Sequence, residues 1–417
     1  MKHLNFNMRF FLAIFSLLQV SCKPNYEFTK NQIPELKADI TILSSDEMEG
    51  RLIGSKGEKL ASDYISKRFN ELGLKGINYS DSYLQPFNVK PKVNPHSIIK
   101  DTSTITGHNV IGFLDNEATK TVIIGAHYDH LGYGEMGGSL FASDTKEIHN
   151  GADDNASGIA AMLAIAERVK FKKLKTYNYL FLGFSGEEEG LWGSNYYSKN
   201  PTIDLKNVAF MINMDMVGRL DEEKRIAIHG TGTAPIWDTV IDSVLVSDFQ
   251  IKKHASGVGP SDHTSFYIND VPVLHFFTGQ HADYHKPSDD ADLINYTGLE
   301  MLVDYIEELL LIMNDKPAPV FTKTKDESTK APSFKVTLGV IPDYLYNEAG
   351  MRIDGVNEGK PASNAGLIKG DIVKKMENIE IIDMMTYMLA LSKFEKGQTI
   401  KITIERNGKL IEKELIF

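Results

Sequence analysis

The stretch TVIIGAHYDH ends in His127 and Asp129, two residues apart and therefore on the same side of an extended chain. An imidazole that binds metal needs its other ring nitrogen held, and a nearby carboxylate does this while fixing the tautomer. His127 is thereby a candidate ligand and Asp129 its orienting partner, although a polar strand end without metal has the same appearance. In NGADDNASG, two carboxylates and small residues precede an apolar helix, which puts Asp154 in the loop or first helical turn. Asp and Asn cap helices on their own account. One cap suffices, however, and here Asp153, Asp154 and Asn155 run consecutively. YLFLGFS runs into GEEEGLWGS and leaves Glu187, Glu188 and Glu189 together. Adjacent carboxylates repel unless solvated or neutralised by a cation, and one of them could ligate metal while its neighbour takes a proton from water. In VAFMINMDMVG, Asp215 is embedded among Met214, Met216 and Val217, so it must be paired or coordinated. Downstream, GPSDHTSF supplies Asp262 and His263, and GQHADYHKPSDD supplies His281, Tyr284 and His285, among which spacing does not select a ligand.

The elements that must position these residues follow from hydrophobic patterning. TVIIGAH, YLFLGFS, VAFMINMD and VPVLHFF are apolar strands, separated by helices over NASGIAAMLAIAERVK and GSNYYSKN and followed by one over YTGLEMLVDYIEELLLIM. Continuous apolar strands between helices predict an α/β fold, a mostly parallel mixed sheet flanked by helices on both faces. Residues 33 to 74 have helical spacing and should cover one flank, and residues 77 to 110 have the alternation of edge strands and loops. Ligands in such sheets gather beyond the carboxyl ends of the strands. Candidate ligands fall at successive strand ends, and their joint occurrence is a stronger signal than any one of them. Two histidines with three carboxylates suit zinc or another borderline divalent ion, and a shared aspartate could bridge two such ions.

Together the motifs GAHYDH, GADDNASG, SGEEEGLWGS, NMDMVG and YHKPSD resemble the co-catalytic zinc aminopeptidases of clan MH, over about residues 35 to 312. Even SSDEMEGRLIGSKGEKLASDYI, which carries no ligand, is similar to their amino-terminal region. The resemblance implies the zinc-aminopeptidase, or phosphorylase/hydrolase-like, fold. It makes Asp154 the bridge between two Zn2+ ions, with His127 and Asp215 completing one site and Glu188 and His285 the other. It makes Glu187 the general base for a metal-held hydroxide that attacks the scissile carbonyl of a peptide at its amino terminus, and keeps Asp129 as the partner of His127. Aligning EEEGL by Gly190-Leu191 sets the Glu187 and Glu188 roles. Asp262, His263 and Tyr284 are expected behind the ligands or in the substrate pocket. Carboxypeptidase and glutaminyl cyclase are the rival activities on this scaffold. The former needs a cation for the substrate carboxylate, for which Arg219 is the local candidate. A third reading is an inactive peptidase domain serving an envelope peptide-binding protein.

At 417 residues the chain exceeds what one core usually holds, and 42% hydrophobic with 24% charged residues is a globular composition. A net charge of −11 argues against nucleic-acid partners, which need a basic face. Residues 1 to 22 have the layout of an export signal: Lys2 and Arg9 precede FFLAIFSLL, and Cys22, the only cysteine, resembles a lipobox acylation site. The expected location is the bacterial cell envelope, lipid-anchored or periplasmic, with membrane contact only through the lipid. The peptidase domain is expected over 30 to 313, a linker over 314 to 331, and a small β-rich domain over 332 to 417. The last resembles a PDZ domain through Leu338-Gly339-Val340 as carboxylate loop and Ala365-Gly366-Leu367 with Gly370-Asp371. That resemblance implies capture of a peptide carboxyl terminus by strand addition.

Overall fold

A computed structural model of the chain describes residues 31–77, 80, 82–90, 103–141, 145–324, 336–343, 346, 348–356, 359–382 and 384–417; the export segment with Cys22 and part of the linker lie outside them. Four strands form the middle of an eight-stranded sheet: β3 (Thr121–His127), β4 (Asn178–Phe184), β5 (Val208–Met214) and β8 (Val273–Phe277). They are mutually parallel in the spatial order β4-β3-β5-β8. Each is buried along its whole length, which is why all four sequences are continuous apolar runs rather than alternating ones. The two faces separate by pleat. Val122, Ile124, Phe181 and Ile212 face one core with helices α1 (Ile33–Leu43), α2 (Lys56–Glu71), α3 (Gly158–Lys172), α5 (Trp237–Ser243) and α7 (Tyr296–Asn314). Ile123, Leu180 and Met211 face a second core with α4 (Trp192–Lys199) and α6 (His263–Tyr267).

Antiparallel strands extend one side through β2 (Ile105–Leu114) and β1 (Leu84–Val89). On the other side lie β6 (Arg225–His229), antiparallel to β8, and β7 (Gln250–His254), parallel to β6. These last two are short, and charged or polar residues interrupt them, so their hydrophobic signal is weak and the sequence reading passes over them. The parallel register puts His127 beside Phe184, and Asn213 beside both Gly125 and His275, so four carboxyl ends open on one edge at one level. Gly158 lets α3 start directly under that edge: a Cβ there would stand 2.6 Å from the Met214 carbonyl oxygen.

The second sheet is small and antiparallel, in the order β14-β13-β11-β10-β9, with β12 (Ile379–Glu380) beside β11. It comprises β9 (Val340–Pro342), β10 (Met351–Val356), β11 (Ile372–Met376), β13 (Thr399–Arg406) and β14 (Lys409–Ile416). Asn407 and Gly408, both at positive φ, make the tight turn between the last two. The sheet has its own core around Leu338, Val373, Ile402 and Leu415. Among the described residues no helix is long and apolar enough to cross a membrane.

Candidate metal centre

His127, the last residue of β3, has Nδ1 3.2 Å from the Asp129 carbonyl oxygen and 3.6 Å from its carboxylate. Holding the proton on Nδ1 leaves the Nε2 lone pair directed at Asp154 Oδ1, 3.3 Å away, and Asp215 Oδ1, 3.4 Å away. The other oxygen of Asp154, Oδ2, lies 3.2 Å from His285 Nε2 and 4.0 Å from His130 Nδ1. Glu188 completes this second group, with Oε1 2.7 Å from His130 Nδ1 and Oε2 3.0 Å from His285 Nε2. Each oxygen of one carboxylate therefore faces a different histidine–carboxylate cluster.

Two sets of ligand atoms converge to within 4.8 Å of one another, His127–Asp154–Asp215 and His130–Asp154–Glu188. Their chemistry fits divalent zinc: imidazole nitrogen and carboxylate oxygen, deeply buried, with more negative charge than a dry site tolerates without a cation. His285 adds a further sign. Its Nδ1 bonds to the Gly138 carbonyl at 2.9 Å, while its buried Nε2 makes no hydrogen bond despite lying beside two carboxylates. That is the tautomer and orientation of a ligand.

The loops are braced from behind. The Asp289 carboxylate accepts the backbone N–H groups of Asp153 and Asp154 at 3.0 and 3.1 Å. Asn155 donates to the Met214 carbonyl and accepts from Gly158 and Met216, tying the Asp154 loop to the end of β5. Asp129 accepts the amides of Glu187 at 3.1 Å and Glu188 at 3.4 Å, so one carboxylate orients His127 and fixes the glutamate pair. Arg51, wholly buried, donates to the carbonyls of Leu43, Asn150, Gly151 and Tyr128. Burial lowers its pKa to about 10, and Asp129, Asp154, Asp289 and Glu188 oppose that fall. The ligand-free segment around EGR thus binds the site's loops to the helical flank.

Neighbouring carboxylates are pushed in opposite directions. Burial raises Glu187 well above the carboxylate range, with Asp215 and Glu188 adding repulsion against the attraction of His127. Burial and Asp154 also oppose charging of Glu188, but His285 and His130 outweigh them and hold it at about 2. Asp154 falls well below the usual range despite burial, because the His127, His285 and His130 imidazoles crowd its carboxylate. Glu189 is lifted to about 8, chiefly by burial. Burial opposes charging of His127 and His285, yet Asp215 and Glu188, respectively, lead the carboxylates that raise both well above the ordinary imidazole value.

Glu187 Oε2 stands 4.0 Å from His127 Nε2 and shares the walls of one cavity with Asp154, Glu188, Asp215 and Tyr284. Met216, Phe277 and Tyr284 supply its apolar side, and His229, His275, Ser261 and Gln280 its polar side. Asp262 and His263 do not line it. Asp262 is buried behind the ligands, where desolvation lifts it to about 7 against the pull of His127. His263 stacks on His275 at 4.5 Å, which in turn lies 5.4 Å from His229, itself stacked on His254 at 4.3 Å. His281 sits against Asp153 at 3.2 Å, and Arg219 donates to Asp283 at 2.9 Å, outside this cavity. The sequence reading passed over His130, although it belongs to the same GAHYDH motif three residues beyond His127. It also missed Asp289, which has no local pattern linking it to residues 153 and 154.

The sequence matches peptidase family M28 over residues 109–310 and the PDZ domain over residues 327–416. A probable leucine aminopeptidase of Trichophyton verrucosum is 33% identical over 262 residues, 59% of this chain and 67% of that protein. The chain spans about half the length of several other curated relatives. Among solved structures, an aminopeptidase from Aneurinibacillus sp. strain AM-1 superposes with TM-score 0.52 at 18% identity, covering 70% of this chain and 95% of that one. A Bacteroides thetaiotaomicron glutaminyl cyclase gives TM-score 0.53 at 18% identity, with 68% and 98% covered. At these identities the likeness shows the fold alone, and both activities occur on it.

Proposed function

Because the chain belongs to peptidase family M28 and carries a carboxyl-terminal PDZ domain, we propose that it is an exported aminopeptidase working with two zinc ions. His127, Asp154 and Asp215 would hold one ion, and Asp154, Glu188 and His285 the other. The observation that carries this reading is the division of the Asp154 carboxylate, one oxygen toward each cluster. Bound there, the metals supply a Lewis acid for the scissile carbonyl and lower the pKa of water.

The chain's own residues do the rest. Glu187, on the cavity wall beside the first cluster, takes the proton of the attacking water on a carboxylate oxygen and returns it to the departing amine. Its largely buried position suits a proton carrier, whereas Glu188, clasped by two imidazoles, suits a permanently anionic ligand. Asp129 keeps His127 in the ligating tautomer and fixes the backbone from which both glutamates project. His130, against Glu188, orients that ligand. Met216, Phe277 and Tyr284 offer an apolar wall to the first side chain of the peptide.

The test is mass-spectrometric identification of products from a mixed peptide library, with and without chelator, for the wild type and Glu187→Gln. We expect release of amino-terminal residues, abolition by chelator, and a turnover loss on the order of 10²-fold or more in the variant with zinc retained. Equal turnover by both proteins removes Glu187 as the base. One zinc per chain with cyclised rather than shortened peptides moves the assignment to glutaminyl cyclase.

A further inference from the structure

A second cavity of about 360 Å³ lies between the two domains and adjoins the catalytic one, with Gln280 in the walls of both. Arg219 and Arg225 come to it from the peptidase domain, and Arg352 and Lys369 from the PDZ domain, against two lining carboxylates, Asp221 and Asp343. Its lining thus has an excess of positive charge in a chain whose net charge is −11. The domains meet here: Lys252 donates to the Tyr346 carbonyl, and Asp343 lies within electrostatic range of Arg225 and Lys252.

Among these arginines, Arg219 keeps a donor in reserve. Arg225 and Arg352 pair with Asp221 and Asp343, each through Nε among other contacts. Arg219 gives Nη2 to Asp283, but its Nη1 is buried with no hydrogen-bond partner. Gln280 Oε1 is likewise buried and unpartnered. A buried donor and a buried acceptor left open cost free energy that a ligand bearing both an anionic oxygen and an N–H would recover.

We propose that this cleft binds the free α-carboxylate of a short peptide whose amino end occupies the catalytic cavity, with Gln280 accepting a peptide N–H between them. The inference rests on the aminopeptidase reading, which fixes the end that enters the catalytic cavity. Because Gln280 lines both cavities, a substrate that occupies them together is short, a few residues at about 3.5 Å each. Tripeptides and tetrapeptides are the substrate class that fits. Arg219, outside the catalytic cavity, then reads the far end of the substrate instead of directing carboxypeptidase chemistry.

The experiment uses the full-length, zinc-loaded protein with an amino-acid anilide, an unblocked tripeptide and the same tripeptide as its carboxyl-terminal amide. The wild type is expected to cleave the free acid with kcat/KM about tenfold above the amide, the difference residing in KM. In Lys369→Gln and in Arg352→Gln the acid-to-amide ratio should fall toward one. Equal cleavage of acid and amide by the wild type overturns the carboxylate site without any variant, as does a ratio unchanged in both variants. Failure of the underlying reading looks different: no anilide turnover, or release of the last residue of the tripeptide instead of the first.

Discussion

At the residue scale, the second cluster contains more nitrogen ligands than the five-residue set requires. His285 and His130 both reach Glu188, and their rings stand edge to face with centroids 5.7 Å apart. They differ in what holds them. His285 Nε2 is open beside two carboxylates, whereas His130 Nδ1 makes a 2.7 Å contact to Glu188 and is 4.0 Å from Asp154. A ligand and a partner of a ligand should respond differently to removal: losing the former opens the site, and losing the latter weakens affinity by about 10- to 100-fold. Zinc counted per chain by elemental analysis after dialysis should therefore fall from two toward one in His285→Ala. In His130→Gln it should stay near two at saturating zinc, with weaker retention. The reverse pattern exchanges their roles.

At the element scale, the sheet edge is supported by a column of imidazoles contributed by β7, β6, β8 and the start of α6: His254, His229, His275 and His263. Burial lowers His275 to about 4 and pushes His229 and His263 well below the free imidazole value, so all three fold as neutral rings. A depressed imidazole pKa means that the unfolded chain binds the proton first. Stability from such a group is complete above about pH 6.5 and is lost as pH falls toward the folded value. Raised carboxyls such as Asp262 and Asp289 act in the opposite sense, so the informative quantity is a difference between two proteins. His263 is wholly buried and neither of its nitrogens has a hydrogen-bond partner, which makes phenylalanine a tolerable replacement. Urea midpoints at pH 7 and pH 5 should show the wild type losing up to about 2 kcal/mol more than His263→Phe across that interval. Parallel losses would mean that His263 is not held neutral.

At the scale of the whole molecule, the catalytic sheet and the PDZ domain enclose a cleft between them, and the reading of an anchored envelope enzyme adds a tether. The apolar run before Cys22 supports export followed by acylation of that cysteine. A Cys22→Ser protein expressed in a bacterial host should leave the membrane fraction and lack incorporated labelled fatty acid. Equal labelling of both proteins would remove the anchor. The amino-acid order alone was enough to reveal an apolar-strand and helix alternation, hence a parallel sheet, because such strands must be buried on both faces. Chemically distinctive residues were legible beside these apolar runs: His127 and Asp215 close apolar strands, and Asp154 precedes an apolar helix. The weak strands β6 and β7, with little apolar patterning of their own, take their place only through pairing beside β8. The family motifs already told Glu187 from Glu188 and His285 from His281, which spacing could not; only packing gives each of them its surroundings and enlists His130, since those depend on where side chains from distant loops converge. The glutamate triplet, which periodicity could not divide, is divided by tertiary contacts: two imidazoles and one aspartate, brought in from elsewhere in the chain, give adjacent carboxyl groups opposite electrostatic surroundings.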